Sequence, residues 1–228
     1  MASIDSSTKL RPEVPSSTRS EWVTVWDPVV RISHWVFVVA FVVAYLSEDA
    51  LDVHVPVGYL LGATLALRIV WGFVGSRHAR FADFMCTPRK AWHYLRDLLQ
   101  GRAPRYLGHS PAGAMMIVLL ILGLAGTTVS GLALYAAEEN AGPLAGWMDR
   151  APGGQDAAGQ RVGRDEDRDG HRDAANGAAA EYWEEVHELS VNLTLLLVLM
   201  HVGGVAWASR VHHENLVFAM ITGRKRRE

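Results

Sequence analysis

The sequence predicts an all-α integral membrane protein built around a four-helix bundle. Three observations support this prediction. Four segments are long and apolar enough to cross a bilayer, whose hydrocarbon core takes about 20 helical residues. The links between these segments alternate between basic and acidic composition, a pattern typical of multi-pass membrane proteins. Four histidines lie within or at the edges of the apolar segments, at two matched depths.

The four predicted spans differ in how strictly apolar they are. The first contains the run WVFVVAFVVAYL, the second is interrupted only by Arg68, and the third carries no charged residue. Four buried helices of a soluble protein are the alternative interpretation, but the uncharged third segment is too long to favour it. The predicted spans cover residues of about 29–46, 53–74, 111–137 and 186–209.

The remaining segments define the domain organisation. Residues 1–21 are polar and rich in Ser and Pro, which predicts a disordered tail without the apolar centre of a secretion signal. Residues 22–226 are predicted to form the membrane domain. Within it, the link 138–181 is rich in Gly, Ala and Asp, which predicts a flexible outer loop. The amphipathic stretch KAWHYLRDLL (90–99) predicts a short helix on the inner membrane surface.

The distribution of charge predicts the orientation in the membrane. The N-terminal residues 1–33 carry four Lys and Arg, the link 75–110 carries seven, and the C-terminal tail carries five. The short link 47–52 has three acids and no base, and residues 138–185 have five arginines but twelve acids. Because basic links stay on the cytoplasmic side, both termini are predicted to be cytoplasmic and the acidic links to lie outside. The predicted location is the bacterial inner membrane.

Bulk composition argues against several other classes of protein. A formal net charge of −2 gives no sign of a nucleic-acid partner. Cys86 is the only cysteine, so the chain has neither a disulfide framework nor a thiolate metal site. Membrane lipid is the partner that the apolar spans predict directly.

The ten histidines fall into two groups. Six lie in links or tails and are predicted to be solvated: His78, His93, His109, His171, His212 and His213. Polar side chains within spans are costly and as a rule mark function. Four histidines belong to the spans and are therefore candidate functional residues: His34, His54, His187 and His201.

Spacing and depth sort these four into pairs. His187 and His201 are fourteen residues apart, close to four helical turns, so they share one face about 21 Å apart along the axis. The fourth span runs from outside to inside, which places His187 near the outer surface and His201 near the inner one. His34 begins the first span on the inside, and His54 begins the second on the outside. The predicted pairs are His34 with His201 and His54 with His187.

Two histidine pairs, each across two helices, fit the axial ligands of two haems stacked across the membrane. An iron with two histidine ligands has no open position, which favours electron transfer over oxygen binding. Zinc is the competing metal, but a zinc site normally takes four ligands, which the interior of the spans does not supply. Four unrelated buried histidines are the remaining alternative.

Two arginines are candidate partners for haem propionates. Arg31 lies three residues before His34 and shares its face, one turn nearer the cytoplasm. Arg68 lies fourteen residues after His54, on the same face but at inner depth. A charge within a span needs a partner, so both are predicted to bind the inner haem. Snorkelling to lipid headgroups is the alternative.

Several stretches resemble one family, the prokaryotic cytochrome b561 family, which includes the b-type cytochrome subunits of nickel–iron hydrogenases. The resemblance covers roughly residues 22–138 and 181–226. It implies one haem b between His34 and His201 and another between His54 and His187. The stretches are VWDPVVRISHW (25–35), HVPVGYLLGATLALRIVWGFVGSRHARF (54–81), VHELSVNLTLLLVLMHV (186–202) and HENLVFAMITGRKR (213–226).

The resemblance implies exchange of electrons with membrane quinone and with a redox partner. The leading hypothesis is therefore a di-haem cytochrome b that connects the quinone pool to a periplasmic protein such as a c-type cytochrome. An acidic outer face would accelerate encounter with a basic partner. One alternative is a membrane anchor and electron outlet of a larger oxidoreductase such as a hydrogenase. Another is a self-contained superoxide:quinone oxidoreductase. The acids concerned include Glu138, Glu139, Glu181, Glu184 and Glu185.

Overall fold

The structure, a computed structural model, describes residues 22–148 and 166–226. This part of the chain contains eight helices and two short strands. In chain order the elements are β1 (Trp22–Thr24), α1 (Pro28–Leu46), α2 (Leu51–Val74), α3 (Phe81–Phe84), α4 (Pro88–Leu99), α5 (Pro111–Glu139), α6 (Ala145–Met148), α7 (Glu166–Val211), α8 (Leu216–Thr222) and β2 (Arg224–Arg226).

Four of the helices have the length and composition of membrane spans, which confirms the predicted fold class. Their apolar windows have mean hydropathies of 1.7 to 2.2. Large apolar side chains such as Ile32, Val70 and Leu199 are exposed on their outward faces, as expected where lipid replaces water. The spans are Pro28–Leu46, Leu51–Val74, Pro111–Glu139 and Gly177–Val211.

Side-chain caps set where the spans begin. The Asp27 carboxylate accepts a hydrogen bond from the Val30 N–H at 2.9 Å, and Pro28 occupies the first turn of α1. Ser110 caps α5 in the same way, accepting from the Gly113 N–H at 3.2 Å. A polar cap followed by proline is a strong helix start, so the predicted starts at residues 29 and 111 lie close to the observed ones.

The helix of the fourth span differs from its predicted bounds. α7 begins at Glu166, well before the predicted start at residue 186, so residues 166–181 are helical where a flexible loop is predicted. The stretch AANGAAAEYW is rich in alanine, the strongest helix former, although it lacks the apolar periodicity that signals a helix. The rest of the predicted loop, residues 149–165, and the predicted tail, residues 1–21, lie outside the described residues.

The bundle is organised around contacts of α5 with α7, of α1 with α2, and of α2 with α5. Its apolar centre consists of buried side chains from three of these helices. Small and hydroxyl side chains join α5 to α7, as is common in membranes. The Thr127 and Thr194 hydroxyls lie 3.1 Å apart, and Thr194 is fully buried. The central side chains are Ala40, Phe41, Leu61, Leu65 and Leu124.

The two ends of the membrane domain meet in a small antiparallel sheet. β1 pairs with β2, with Trp22 opposite Arg226. Lys225, only 4% exposed, forms an ion pair with Glu214 at 3.4 Å. We call this side of the bundle the terminal end. The opposite side, with the α1–α2 turn at residues 47–50, is called the loop end.

α4 agrees with the amphipathic helix predicted at residues 90–99. It turns Ala91, Tyr94 and Leu98 inward, where the helix packs against α5. Trp92 is exposed on the other side. Its location on a membrane surface remains a prediction.

Candidate functional site

The structure brings the four span histidines together in two pairs. The ring centroids of His34 and His201 lie 6.4 Å apart, and those of His54 and His187 lie 6.2 Å apart. The first pair joins α1 to α7 at the terminal end, and the second joins α2 to α7 at the loop end. These are the same pairs that depth matching along the sequence predicts.

The separation of the rings suits a metal ion held between them. A metal about 2 Å from one nitrogen of each imidazole places the two ring centroids roughly 6 Å apart. Among the described residues, no group of three or more His, Cys, Asp and Glu side chains could hold a metal ion. Each pair therefore supplies two ligands and no more, which suits haem iron, since a porphyrin provides four nitrogens of its own. The residues that the structure describes at either pair do not supply the four ligands of a zinc site.

Hydrogen bonds hold both loop-end imidazoles in the tautomer that leaves Nε2 free. His54 Nδ1 lies 3.0 Å from the Ala44 carbonyl oxygen, which can only accept, so Nδ1 donates. His187 Nδ1 lies 3.0 Å from Ser130 Oγ, and this hydroxyl in turn donates to the Thr127 carbonyl at 3.1 Å. Ser130 Oγ therefore accepts from His187 Nδ1. Such partners orient metal-binding histidines and leave the other nitrogen to the metal.

The loop-end pair opens into a cavity of about 540 Å³, within the range of small-molecule and cofactor pockets. Gly131 of α5 lines it, and a Cβ atom at this position would lie 2.9 Å from His187 Cε1. Glycine thus leaves the space that the imidazole occupies. Apolar, aromatic and acidic side chains complete the lining, among them Phe41, Leu61, Tyr45, Tyr59, Tyr135, Asn192, Glu48, Glu138, Glu184 and Glu188.

The terminal-end pair differs from the loop-end pair in the hydrogen bonding of its imidazoles. His34 Nδ1 is buried and has no hydrogen-bond partner among the described residues. The ring packs edge-on against Trp35, with centroids 5.4 Å apart. A buried unpaired nitrogen costs free energy, and a bound group that engages this imidazole would offset that cost. The residues at both pairs therefore fit haem ligation.

The two candidate arginines lie at the terminal end, but their contacts run to neighbouring elements rather than to the histidines. Arg31 donates to the Ile221 carbonyl, while its Nε is buried and has no partner among the described residues. Arg68 is only 6% exposed, donates to the Ala79 carbonyl at 3.4 Å, and lies over the Phe81 ring at 5.6 Å. A guanidinium has five N–H donors, so both retain donors for an anion. Their role toward propionates remains a prediction.

His109 is a half-buried residue whose aromatic packing sequence reasoning misses. Its ring packs between Trp26 and Phe84, with centroids 4.5 Å and 4.4 Å away. Burial, followed by the nearby Arg68 charge, lowers the pKa of His109 to about 3. The prediction of a solvated side chain is therefore wrong at this position. Its place in a polar link carries no signal of these aromatic neighbours.

At the terminal end, Asp27 joins the start of α1 to the end of α2. Its carboxylate accepts from Trp71 Nε1 at 3.1 Å and from the Ser76 hydroxyl. Burial acts to raise the pKa of Asp27, but the hydrogen bonds, chiefly from Ser76, lower it below its usual value. Asp27 is therefore held as an anion within electrostatic reach of Arg68.

Replacing His109 with phenylalanine is expected to flatten the pH dependence of stability. Unfolded histidine takes up a proton below pH 6.5, whereas folded His109 stays neutral down to about pH 3. The wild type should therefore lose up to about 1.4 kcal/mol of stability per pH unit as the pH falls through this window. Melting temperatures of the detergent-solubilised protein between pH 7.5 and 5 measure the effect. His93→Phe, at an exposed position, is the control, and an unchanged slope in His109→Phe would contradict the prediction.

Comparison with known proteins finds a matching family and several relatives. The prokaryotic cytochrome b561 family profile matches residues 25–223. A probable Ni/Fe-hydrogenase B-type cytochrome subunit of Azotobacter chroococcum mcd 1 is 30% identical over 157 residues, covering 56% of this chain and 64% of the relative. The Azotobacter vinelandii protein of the same name is 30% identical over 143 residues, with 50% and 60% covered. The Rhodobacter capsulatus protein is 27% identical over 179 residues, with 60% and 66% covered.

The chain thus spans somewhat less than two thirds of the length of these relatives. No solved structure matches it.

Proposed function

The chain belongs to the prokaryotic cytochrome b561 family, and from this premise we propose that it is a membrane cytochrome that binds two haems b and carries electrons between the quinone pool and a periplasmic redox partner. The family supports a haem b electron-transfer role in the membrane. The number of haems, the quinone and the partner belong to the proposal. The observation that carries it is the presence of two histidine pairs at opposite ends of one bundle.

The helices act as a rigid frame for the proposed electron path. A bound haem supplies one-electron exchange between ferric and ferrous iron. His187 and His201 lie on one helix, so α7 sets the distance between the two sites at about 21 Å along its axis. His54 and His34 complete the sites from α2 and α1. With the two histidines of each pair holding the iron, each site would favour electron transfer over oxygen chemistry.

The orientation follows from charge. We place the terminal end in the cytoplasm and the loop end in the periplasm of a bacterial inner membrane, because the links with excess Lys and Arg lie at the terminal end. At the loop end, the cavity lining includes four glutamates, and no Lys or Arg is found among its described lining residues. This acidic rim favours a basic partner such as a c-type cytochrome, mainly by accelerating encounter.

The function is tested on the purified, detergent-solubilised protein. A pyridine haemochrome assay should give two haems b per chain, reducible by a quinol and reoxidised by a basic c-type cytochrome. A haem-free protein that binds zinc would refute the proposal, and a single haem per chain would refute the two-site form of it. Salt should slow reoxidation, because surface charges steer the encounter.

Arg68→Gln is expected to change the terminal-end haem alone. We propose that Arg31 and Arg68 bind the propionates there, and a nearby cation favours the reduced, less positive iron. Its loss should lower that haem's midpoint potential, by roughly 60 mV if the reduced-to-oxidised ratio changes tenfold. Redox titration followed by absorbance measures the shift. The control is Arg89→Gln, at an exposed position. An equal shift in both haems, or none in either, would contradict the assignment.

A second candidate function is that of a membrane anchor and electron outlet for a larger oxidoreductase. The observation that favours it is the name shared by the curated relatives, which are Ni/Fe-hydrogenase B-type cytochrome subunits. Purification of the tagged protein from native membranes in a mild detergent discriminates between the candidates. A large subunit that is retained in stoichiometric amount supports the anchor. An isolated chain that transfers electrons between quinol and a c-type cytochrome supports the first proposal.

A further inference from the structure

Ser130 is a polar side chain buried in helix α5. It is only 2% exposed, and its hydroxyl lies 3.0 Å from His187 Nδ1 and 3.1 Å from the Thr127 carbonyl oxygen. The first contact crosses from α5 to α7, between residues 57 positions apart in the sequence. The second is a local contact within α5.

The ordinary role of a buried hydroxyl in a membrane helix is to bond a carbonyl one turn earlier. Thr64 does this with the Leu60 carbonyl at 2.7 Å, and Ser33 with the Val30 carbonyl at 3.1 Å. Ser130 makes the same local bond, but its oxygen also contacts a histidine on another helix. Local bonding therefore does not account for this second contact.

The direction of the two hydrogen bonds follows from the chemistry of the partners. The Thr127 carbonyl can only accept, and the His187 ring also hydrogen-bonds to this backbone group. When the Ser130 proton is directed to that carbonyl, the Ser130 oxygen is left to accept. The oxygen of Ser130 then accepts the proton of His187 Nδ1. An acceptor on Nδ1–H orients the imidazole and makes Nε2 a stronger electron donor to a bound metal. Stronger donation stabilises ferric over ferrous iron and lowers the reduction potential.

We propose that Ser130 is a positioning residue that orients His187 and lowers the reduction potential of the loop-end haem below that of the terminal-end haem. The inference rests on the proposed function, since it concerns the same site. His54 contributes in the same direction, because its Nδ1 donates to the Ala44 carbonyl. At the terminal end, His34 Nδ1 has no such acceptor among the described residues.

The charges around the loop-end cavity agree with this order. Fixed carboxylates near an iron favour its more positive, oxidised state. Glu48, Glu138, Glu184 and Glu188 line the cavity. At equilibrium, a single electron shared between the two sites would therefore reside mainly at the terminal-end site.

The test is a redox titration of Ser130→Ala, Ser130→Thr and Thr64→Val in the haem-loaded protein. Absorbance gives the two potentials, and electron paramagnetic resonance of the ferric state reports the orientation of the ligand rings. The component lost in His54→Ala identifies the loop-end haem. The proposal expects this component to be the lower one in the wild type. It should shift to higher potential with an altered resonance signal in Ser130→Ala, and stay near wild type in Ser130→Thr and Thr64→Val.

The other possible outcomes of this experiment also support or overturn the proposed role of Ser130. Loss of the loop-end haem in Ser130→Ala but not in Ser130→Thr supports positioning by the hydroxyl. Loss in both variants, no shift in Ser130→Ala, or an equal shift in Thr64→Val overturns it. If the wild type binds two haems and Ser130→Ala shifts nothing, this inference fails while the proposed function stands. If the wild type binds fewer than two haems, the proposed function itself fails.

Discussion

Replacing His54 or His187 with alanine is expected to remove one haem per chain and to leave the other bound. Each variant deletes one of the two imidazoles at the loop-end pair, whose centroids lie 6.2 Å apart. Loss of second-shell partners alone weakens metal binding about 10- to 100-fold, so loss of a ligand should exceed that. The haem-to-protein ratio of purified protein measures the effect directly. A reduced-minus-oxidised spectrum shows which component is absent.

The other pair and an exposed histidine complete this experiment. His34→Ala and His201→Ala should each remove the other haem, whose spectrum and potential differ from those of the first. His93→Ala should retain both, because His93 is exposed on α4. If His54→Ala and His201→Ala lose the same spectral component, the proposed pairing is incorrect.

Gly131→Ala is expected to impair the loop-end site while leaving helix α5 intact. Alanine forms helix better than glycine by about 1 kcal/mol, so local propensity favours the variant. In the folded bundle, however, the new Cβ would lie 2.9 Å from His187 Cε1. Overpacking of this kind costs about 1–3 kcal/mol, which corresponds to roughly 5- to 150-fold weaker haem retention if the strain is released by moving the imidazole.

Gly126→Ala is the matched control on the same helix. A Cβ at position 126 would meet Ser190 Oγ at 3.8 Å, an ordinary contact, so both haems should remain. Haem retention is measured by transfer to excess apomyoglobin over time. Equal rates of loss from the two variants would show that the space beside His187 is not the reason for glycine at position 131.

Much of this architecture can be predicted from short stretches of the sequence. Hydropathy over about 20 residues reports a bilayer crossing wherever it occurs, and the caps at Asp27 and Ser110 mark helix starts within a few residues. The spacing of His187 and His201 depends only on the geometry of one helix. The pairing with His34 and His54 then follows from depth in the membrane, and the structure brings the same residues together.

Other features escape local reasoning. The aromatic packing around His109 joins residues from three separate segments, Trp26, Phe84 and the link before α5. The strands β1 and β2 are only three residues long each, and they pair although they lie at opposite ends of the described sequence. The early start of α7 rests on helix propensity in a stretch without an apolar face. The residues that meet around His109 and in the small sheet lie far apart in the sequence, so no short stretch contains both partners.

The sequence by itself determines that four helices cross the membrane and that two pairs of histidines lie at two depths, because hydropathy and helical rise are properties of single segments. Only the tertiary structure decides which nitrogen each histidine presents and which hydroxyl supports it. The contact of Ser130 with His187 depends on the rotation of α5 against α7. Likewise, the Arg68 guanidinium reaches Ala79 and Phe81 only because the chain after α2 folds back on it. Such contacts depend on how separate helices pack, which depth and periodicity do not specify.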